Sequence, residues 1–366
     1  MPEVHDSQRL FALSAVPQGD YDTPADTTDP ANFVPLQFTD KDYAKLTPGL
    51  EDNAEFAHGS EFSSEEYLET WDVEAQHTIA TSSEIIGYLL LLAFGSVATT
   101  QPDAVHHPTV YQHIFTLLNH NTSRQLPVAS LAEIVGTAHN VMHPSLVLKM
   151  LSMKADGVKI VETSTQFHGS GREISPSGLS WAQVKALVNA QTLHNFFNSQ
   201  AKATVADAGT LLNAENLSAL HKFRSWEWSI NNNPMVDEGY APGADKWQTP
   251  GDATSGAIRA EMLNGLRQLA ASMVVRLRAD SEERAALKAR KPLDWKLEMT
   301  GSKISHYAGP PATDYFHKLT VEFEKVRYST LDLQGGGLIT QKINMKPFDS
   351  TNVIKATLIN TVPSYT

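Results

Sequence analysis

The chain has 366 residues, a formal net charge of -12 and no cysteine. Its length exceeds that of one typical domain, and a hydrophobic content of 41% is sufficient for packed cores, which excludes a disordered protein. The absence of cysteine excludes disulfides, thiolate zinc sites and a cysteine nucleophile, and the acidic balance argues against tight binding of nucleic acid.

The N-terminal region is rich in Pro, Asp and Gly and shows no secretion signal. We predict an extended arm over residues 1–60, with little core of its own. Such an arm is either a flexible tail or a strap that becomes ordered on a neighbouring subunit. The longest apolar stretch, residues 85–97, is shorter than the roughly 20 residues that span a bilayer, so we expect a soluble protein with no membrane partner.

Residues 61–200 are predicted to form a first, mostly β lobe. A strand over 67–79 leads to a helix that starts near Thr81-Ser-Ser-Glu84 and ends at Gly95, a typical C-terminal cap. Its residues are apolar on all sides, so the helix is expected to be buried. Further strands are predicted over 111–118, 128–135, 146–153 and 158–167, with a turn at Ala155-Asp-Gly157, and a second helix over 181–196.

Residues 201–366 are predicted to form a second lobe with a similar order of elements, which suggests a repeat. Strands are predicted over 224–230, 269–277 and 293–299, a helix over 280–290, and a loop over 231–256 that is functional or ordered by a partner. Two alternating runs, 318–328 and 338–345, flank Gly335-Gly-Gly337 and predict a β-hairpin. A third run over 353–360 predicts that the chain closes as an antiparallel meander.

Several side chains are candidates for chemistry, and each also has a structural interpretation. Four histidines fall within fifteen residues, but no carboxylate stands at an HExxH spacing, so surface and loop positions are favoured over a metal site: His106, His107, His113 and His120. The carboxylate pairs Glu65-Glu66 and Glu282-Glu283 are interpreted as charges at helix starts and not as an acid and base pair.

Nucleotide-binding and hydrolase motifs are not found. Gly169-Ser-Gly171 and Gly335-Gly-Gly337 match neither GxxxxGK(S/T) nor GxGxxG and are predicted to be turns, and no GxSxG elbow supports a serine hydrolase. Trp226, Trp228 and Trp295 could stack on a sugar or a base, but a core or interface position is favoured. We assign no catalytic, cofactor-binding or metal-ligating residue and predict that the protein is not an enzyme.

Five stretches together resemble the tail tube (major tail) proteins of long-tailed bacteriophages, in the form with two tube-type lobes in one chain. The resemblance covers roughly residues 60 to 366 and lies in the order of these stretches. They are Glu69-Thr-Trp-Asp-Val-Glu74, residues 84–96, residues 226–233, Val326-Arg-Tyr328 with Gly335-Gly-Gly-Leu338, and Ile359-Asn-Thr-Val-Pro-Ser-Tyr365.

The resemblance implies a mainly β (α+β) fold with two antiparallel β-sandwich or half-barrel lobes, each with a flanking helix. Open sheet edges would join neighbouring copies into a ring, as a trimer with pseudo-sixfold symmetry or as a hexamer, and rings would stack into a tube. It implies a virion location in the tail, assembly in the host cytoplasm, no cofactor, and partners such as the tape measure and terminator proteins. Genomic DNA would pass without specific binding through a lumen of Asp, Glu and neutral polar groups, with Lys and Arg paired across interfaces.

Two other functions remain open from the sequence. The first is an inner tube subunit of a contractile injection or secretion particle, which shares the fold and differs in cargo. The second is a monomeric carbohydrate-binding β-sandwich that would expose Trp226, Trp228 or Trp295 to a sugar.

Overall fold

The computed structural model describes residues 9–21, 23–39, 44–52, 66–119, 125–207, 215–216, 223–235, 247–249, 252–257, 262–277, 282–309, 312–335, 338–348 and 353–365. Their secondary structure is mostly strand, which confirms the predicted mainly β fold with a large antiparallel sheet. The helices are α1 Ile86–Phe94, α2 Trp181–Ala190 and α3 Glu282–Ala289. None of the described helices is both long and apolar enough to cross a membrane.

The strands are, in chain order, β1 Arg9–Ser14, β2 Phe33–Leu36, β3 Lys45–Asp52, β4 Glu66–Ala80, β5 Gly95–Thr100, β6 Tyr111–Leu117, β7 Ala129–Val135, β8 His139–Asp156, β9 Glu162–Gly169, β10 Ala201–Asp207, β11 Glu215–Asn216, β12 Phe223–Asn231, β13 Trp247–Thr249, β14 Asp252–Ala257, β15 Gln268–Arg276, β16 Leu293–Tyr307, β17 Thr313–Gln334, β18 Thr340–Pro347 and β19 Ile354–Asn360.

The long strand β17 joins two sheets. Its residues 326–334 pair with β18, and the pairing continues through β15, β12, β8, β9, β4 and β3, which we call the first sheet. Its residues 318–323 pair with β19, and the order β5, β6, β19, β17, β16, β10, β11 forms the second sheet. Lys325, with a φ of 51°, lies between the two segments of β17.

The inner faces of the two sheets meet in one apolar core. Period-two alternation buries Leu319, Val321 and Phe323 on β17, as expected for a strand with one face inward. Phe323 packs edge-on against Trp228 of β12, with ring centroids 6.3 Å apart. Helix α1 is buried along most of its length and ends at Gly95, whose φ of 94° explains why glycine stands there, so the predicted helix and cap are confirmed.

A small third sheet covers one end of the core. It consists of β2, β1, β7 and the first half of β8, and α2 packs on β1 and β2. Strand β1 lies inside the predicted N-terminal arm, and its Phe11 and Leu13 are buried. Strands of the two predicted lobes also pair directly, β6 with β19 and β8 with β12. The division into an arm and two lobes stays a prediction.

Two predicted elements are corrected by the structure. The hairpin of β17 and β18 is confirmed, but the closing meander is wrong, because β15 occupies the second edge of β18 and β19 instead fills the gap between β17 and β6. Helix α2 ends at Ala190 and not at residue 196, since buried Phe196 continues in extended backbone that bonds to Thr81 and Val161.

Candidate functional site: a polar sheet face

The outer side of the first sheet carries hydroxyl and amide side chains, and we call it the polar face. One cross-strand row holds four hydroxyl residues in register on four strands: Thr78, Ser164, Ser152 and Ser229. Alternation places these residues on the outer side, because the neighbouring positions on the same strands are buried. Most of those neighbours are apolar, although β9 buries Thr163 and Thr165 and β4 buries His77. Two further rows continue the face with Gln76, Gln166, Asn231, Gln268, Ser272 and Asn344.

Polar groups on this face bond to one another. The hydroxyls of Thr78 and Ser164 lie 3.0 Å apart, and the Gln166 amide donates to the side-chain oxygen of Gln76 at 3.2 Å. Two of the lysines at the face are paired with carboxylates: Lys154 with Glu162 at 3.5 Å, and Lys149 with Glu74 at 3.6 Å. The two pairs offset two of the lysines, while Lys342 and Lys346 add positive charge to the part of the face that also holds Glu227. The face is therefore mixed in charge, with neutral hydroxyls and amides between the charged groups.

An open groove of about 1250 Å³ runs along the part of the polar face where β12, β15 and β18 adjoin. Hydroxyl, amide and charged side chains line it, including Glu227, Ser229, Asn231, Ser272, Lys342 and Asn344. The groove is shallow and polar, so it suits a wetted surface better than a pocket for an apolar ligand.

The outer side of the second sheet has a different character, because lysine and glutamate alternate across its strands. Lys318 contacts Glu298 at 3.0 Å, and Lys355 contacts Glu322 at 2.7 Å. Burial acts to raise the pKa of Glu298, but the hydrogen bond and charge of Lys318, with help from Lys296, outweigh it and lower that pKa. This charge ladder distinguishes the second sheet's outer side from the polar face.

Features suited to contact with other chains lie at the margins. In the part of the chain that the structure describes, β5 pairs only with β6 and β3 only with β4, so each leaves an open backbone edge. The closed end of the β17–β18 hairpin exposes Leu333, Leu338 and Ile339 by 66%, 60% and 53%. Exposed aliphatic side chains on a projecting hairpin are candidates for burial in an assembly.

The histidines singled out from the sequence bind separate partners. Exposed His106 contacts Asp103 at 2.9 Å. Buried His107 bonds the hydroxyls of Ser305 and Thr313, each at 2.8 Å. Buried His113 bonds the Asn360 amide oxygen and the Val362 carbonyl, and burial lowers its pKa. His120 lies outside the described residues.

The other sequence candidates have structural positions. Trp228 and Trp295 are fully buried, and Trp226 is 2% exposed and donates a hydrogen bond to the side-chain oxygen of Asn198. The core interpretation is therefore confirmed. None of the three indoles is exposed to bind a sugar. Glu282 begins α3 as predicted, and buried Glu283 accepts from Gln341. The helix-start interpretation is wrong for Glu66, because this residue begins β4, and Glu65 lies outside the described residues.

A polar cluster that the sequence did not reveal lies beside α1. It joins Glu84, His194 and His317, whose possible ligand atoms all fall within 4.8 Å of one another. His194 lies 110 positions after Glu84 in the chain, and His317 lies 234 positions after Ser83, the neighbour of Glu84 to which it bonds. Because the three residues are so far apart in the chain, a sequence motif could not have predicted that they lie together.

Comparison with known proteins gives limited similarity. No protein-family model and no curated protein sequence matches the chain. Among solved structures, the Hcp1 protein of E. coli EAEC 042 pathovar, in a double mutant, is 10% identical with a TM-score of 0.21, and the match covers 43% of this chain and 96% of that one. An Hcp protein is also 10% identical, with a TM-score of 0.19, over 40% of this chain and 85% of that one. Similarity this low carries no conclusion about function.

Proposed function

We propose that the chain is a structural subunit that self-associates into rings, and that the rings stack into the tail tube of a long-tailed bacteriophage. The observation that carries the proposal is the polar face: a broad sheet with an apolar inner side and a row of hydroxyls in register on its outer side. In the assembled tube this face lines the channel through which DNA leaves the capsid.

The chemistry of the polar face suits the passage of DNA. A channel wall must stay wetted and must not hold phosphates, because each strong cation contact would slow the polyanion. Neutral hydroxyls and amides satisfy both conditions. The pairs Lys154 with Glu162 and Lys149 with Glu74 reduce the positive potential that the lysines would otherwise present.

The margins of the fold support assembly. A ring that closes would pair the open edges of β3 and β5 with neighbouring subunits and so remove the hazard of exposed backbone. The hairpin end with Leu333, Leu338 and Ile339 would be buried against an adjacent copy or an adjacent ring. Trimeric rings with pseudo-sixfold symmetry follow if the chain has two lobes, and hexameric rings follow if it acts as one unit.

Negative-stain electron microscopy of the concentrated protein tests assembly. The wild type is expected to form rings or tubes of even bore, and Leu338→Glu is expected to reduce them because it places a charge in a buried contact. Leu266→Glu is the matched control, since Leu266 is an exposed leucine just before β15, and the opposite end of β15 is the one that pairs with the hairpin at Thr340. Monomers of about 40 kDa in every sample would contradict the proposal.

Because the chain has no cysteine, single cysteines can report which face lines the channel. Ser229→Cys places a thiol on the polar face, and Thr357→Cys places one on the outer side of the second sheet. In tubes, a bulky maleimide polymer is expected to label the Thr357 variant and to miss the Ser229 variant, while both are labelled before assembly. Equal labelling in tubes, or the reverse order, would contradict the assignment of the channel wall.

A further inference from the structure

The cluster beside α1 has the composition of a metal site. Glu84 precedes the helix, His194 follows α2, and His317 lies on β17. The Nδ1 atom of His194 lies 2.7 Å from Oε1 of Glu84, and the Nδ1 atom of His317 lies 3.8 Å from the same oxygen. The Ser83 hydroxyl lies 2.7 Å from both Oε1 of Glu84 and Nδ1 of His317, so it is a fourth possible ligand atom in the cluster.

Two imidazoles and a carboxylate are a ligand set that Zn²⁺ uses with an open fourth position. Bonds of about 2.0 to 2.1 Å at tetrahedral angles separate the ligand atoms by roughly 3.3 Å. The observed separations of 2.7 and 3.8 Å lie on either side of that value.

One movement is necessary, because the two rings are stacked. Their centroids lie 4.0 Å apart and their planes differ by 17°, whereas a metal must lie near the plane of each ring that binds it. His317 is held in the core with a side chain 2% exposed, while the His194 side chain is 35% exposed and would exchange its hydrogen bond with Glu84 for the metal when it turns. We therefore assign the adjustment to His194.

The backbone around the cluster is fixed without a metal. The N–H of His194 donates to Oε2 of Glu84 at 2.9 Å, and the N–H of Ser83 donates to the carbonyl of His194 at 3.1 Å. The Asn360 amide donates to the carbonyl of Ser83 at 2.6 Å. Supporting hydrogen bonds of this kind orient ligands before a metal arrives.

We propose that Glu84, His194 and His317 bind one divalent transition metal, with Zn²⁺ the best match to the ligands, and that the Ser83 hydroxyl or a water takes the fourth position. The metal acts as a brace, because it ties the segment after α2 to the start of α1 and to β17. The site is independent of the proposed tube function. Mg²⁺ is not expected to bind, since it prefers oxygen ligands in octahedral geometry.

Equilibrium dialysis of the chelator-treated full chain against ZnCl₂, with metal counted by mass spectrometry, tests the proposal. The wild type is expected to bind about one Zn²⁺ at this site and to melt at a higher temperature with Zn²⁺ than with Mg²⁺. His194→Asn is expected to weaken binding roughly 10-fold or more. His306→Asn is the matched control, because His306 is exposed and pairs with Asp314, a carboxylate that also binds Lys303. This variant should bind Zn²⁺ as the wild type does.

Either of two results would overturn the site: no Zn²⁺ bound by the wild type, or equal affinity in the wild type and in His194→Asn. Both would leave the cluster as a metal-free hydrogen-bonded hub. A second measurement on the wild type alone guards against misfolding of the variant. Co²⁺ is expected to give the intense visible absorption of a four-coordinate site, and only the weak absorption of aqueous Co²⁺ would contradict the proposal.

Discussion

Acidification is expected to destabilise the fold through His143 of β8. This residue is 2% exposed, and burial together with nearby His139 lowers its pKa to about 4, against a partly opposing hydrogen bond with the backbone of Arg172. In the unfolded chain the pKa returns to about 6.5. Between these values the unfolded chain binds a proton that the folded chain does not, so the free energy of unfolding falls as the pH falls.

The magnitude follows from the difference of about 2.5 pKa units. At about 1.4 kcal/mol per unit, the loss is complete below pH 4 and reaches roughly 3 kcal/mol, and most of it has occurred by about pH 4.5. Glu173, whose carboxylate lies 3.9 Å from Nδ1 of His143, and Glu133 act in the opposite direction, because burial raises their pKa values. Because His143 is neutral at pH 7, its contact with Glu173 is not an ion pair at that pH.

Urea unfolding followed by tryptophan fluorescence at pH 7 and pH 4.5 measures the effect. His143→Gln removes the titrating ring and keeps a polar side chain, so its stability is expected to depend less on pH than that of the wild type by roughly 2 to 3 kcal/mol. His306→Gln, at an exposed position, is the control and should follow the wild type. The reasoning is refuted if His143→Gln and the wild type lose the same stability between the two pH values.

Three further substitutions test the packing. Trp295→Ala should lower the free energy of unfolding by about 3 to 5 kcal/mol, because the fully buried indole packs on Phe323. Trp295→Phe should lower it less. Equal losses for the two variants in urea unfolding would contradict this prediction. Gly87→Ala should cost about 1 to 3 kcal/mol, since a Cβ atom there meets the ring of Tyr365, and Tyr365→Ala should reduce that penalty in a double-mutant cycle. Ser180→Ala should cost about 1 kcal/mol by removing the capping box of α2, while Ser302→Ala, on the surface of β16, should leave thermal stability unchanged.

Local signals predicted the elements that local chemistry determines. The apolar run before Gly95 predicted α1 and its cap, and the alternating runs around Gly335 predicted the β17–β18 hairpin. In both cases the pattern and the residue that ends it lie within one short segment. The same holds for the turn at Gly157, whose φ of 62° is the conformation that glycine tolerates.

Features that depend on tertiary pairing could not be predicted in this way. The place of β19 beside β6 depends on β15 already occupying the edge of β18, and the end of α2 depends on the burial of Phe196. The hydroxyl row on the polar face exists only once four strands take their registers. Glu84 and His317 likewise meet only because β17 passes α1. Neither the polar face nor the cluster of Glu84, His194 and His317 could therefore be predicted from local sequence patterns.

The most direct test of the tube account is a cryo-electron microscopy map of the assembled protein at a resolution that shows side chains. A tube subunit should form a closed ring with a central channel whose wall carries Thr78, Ser164, Ser152 and Ser229. A channel lined instead by the charge ladder of β16, β17 and β19, or a protein that stays monomeric at every concentration, would contradict it.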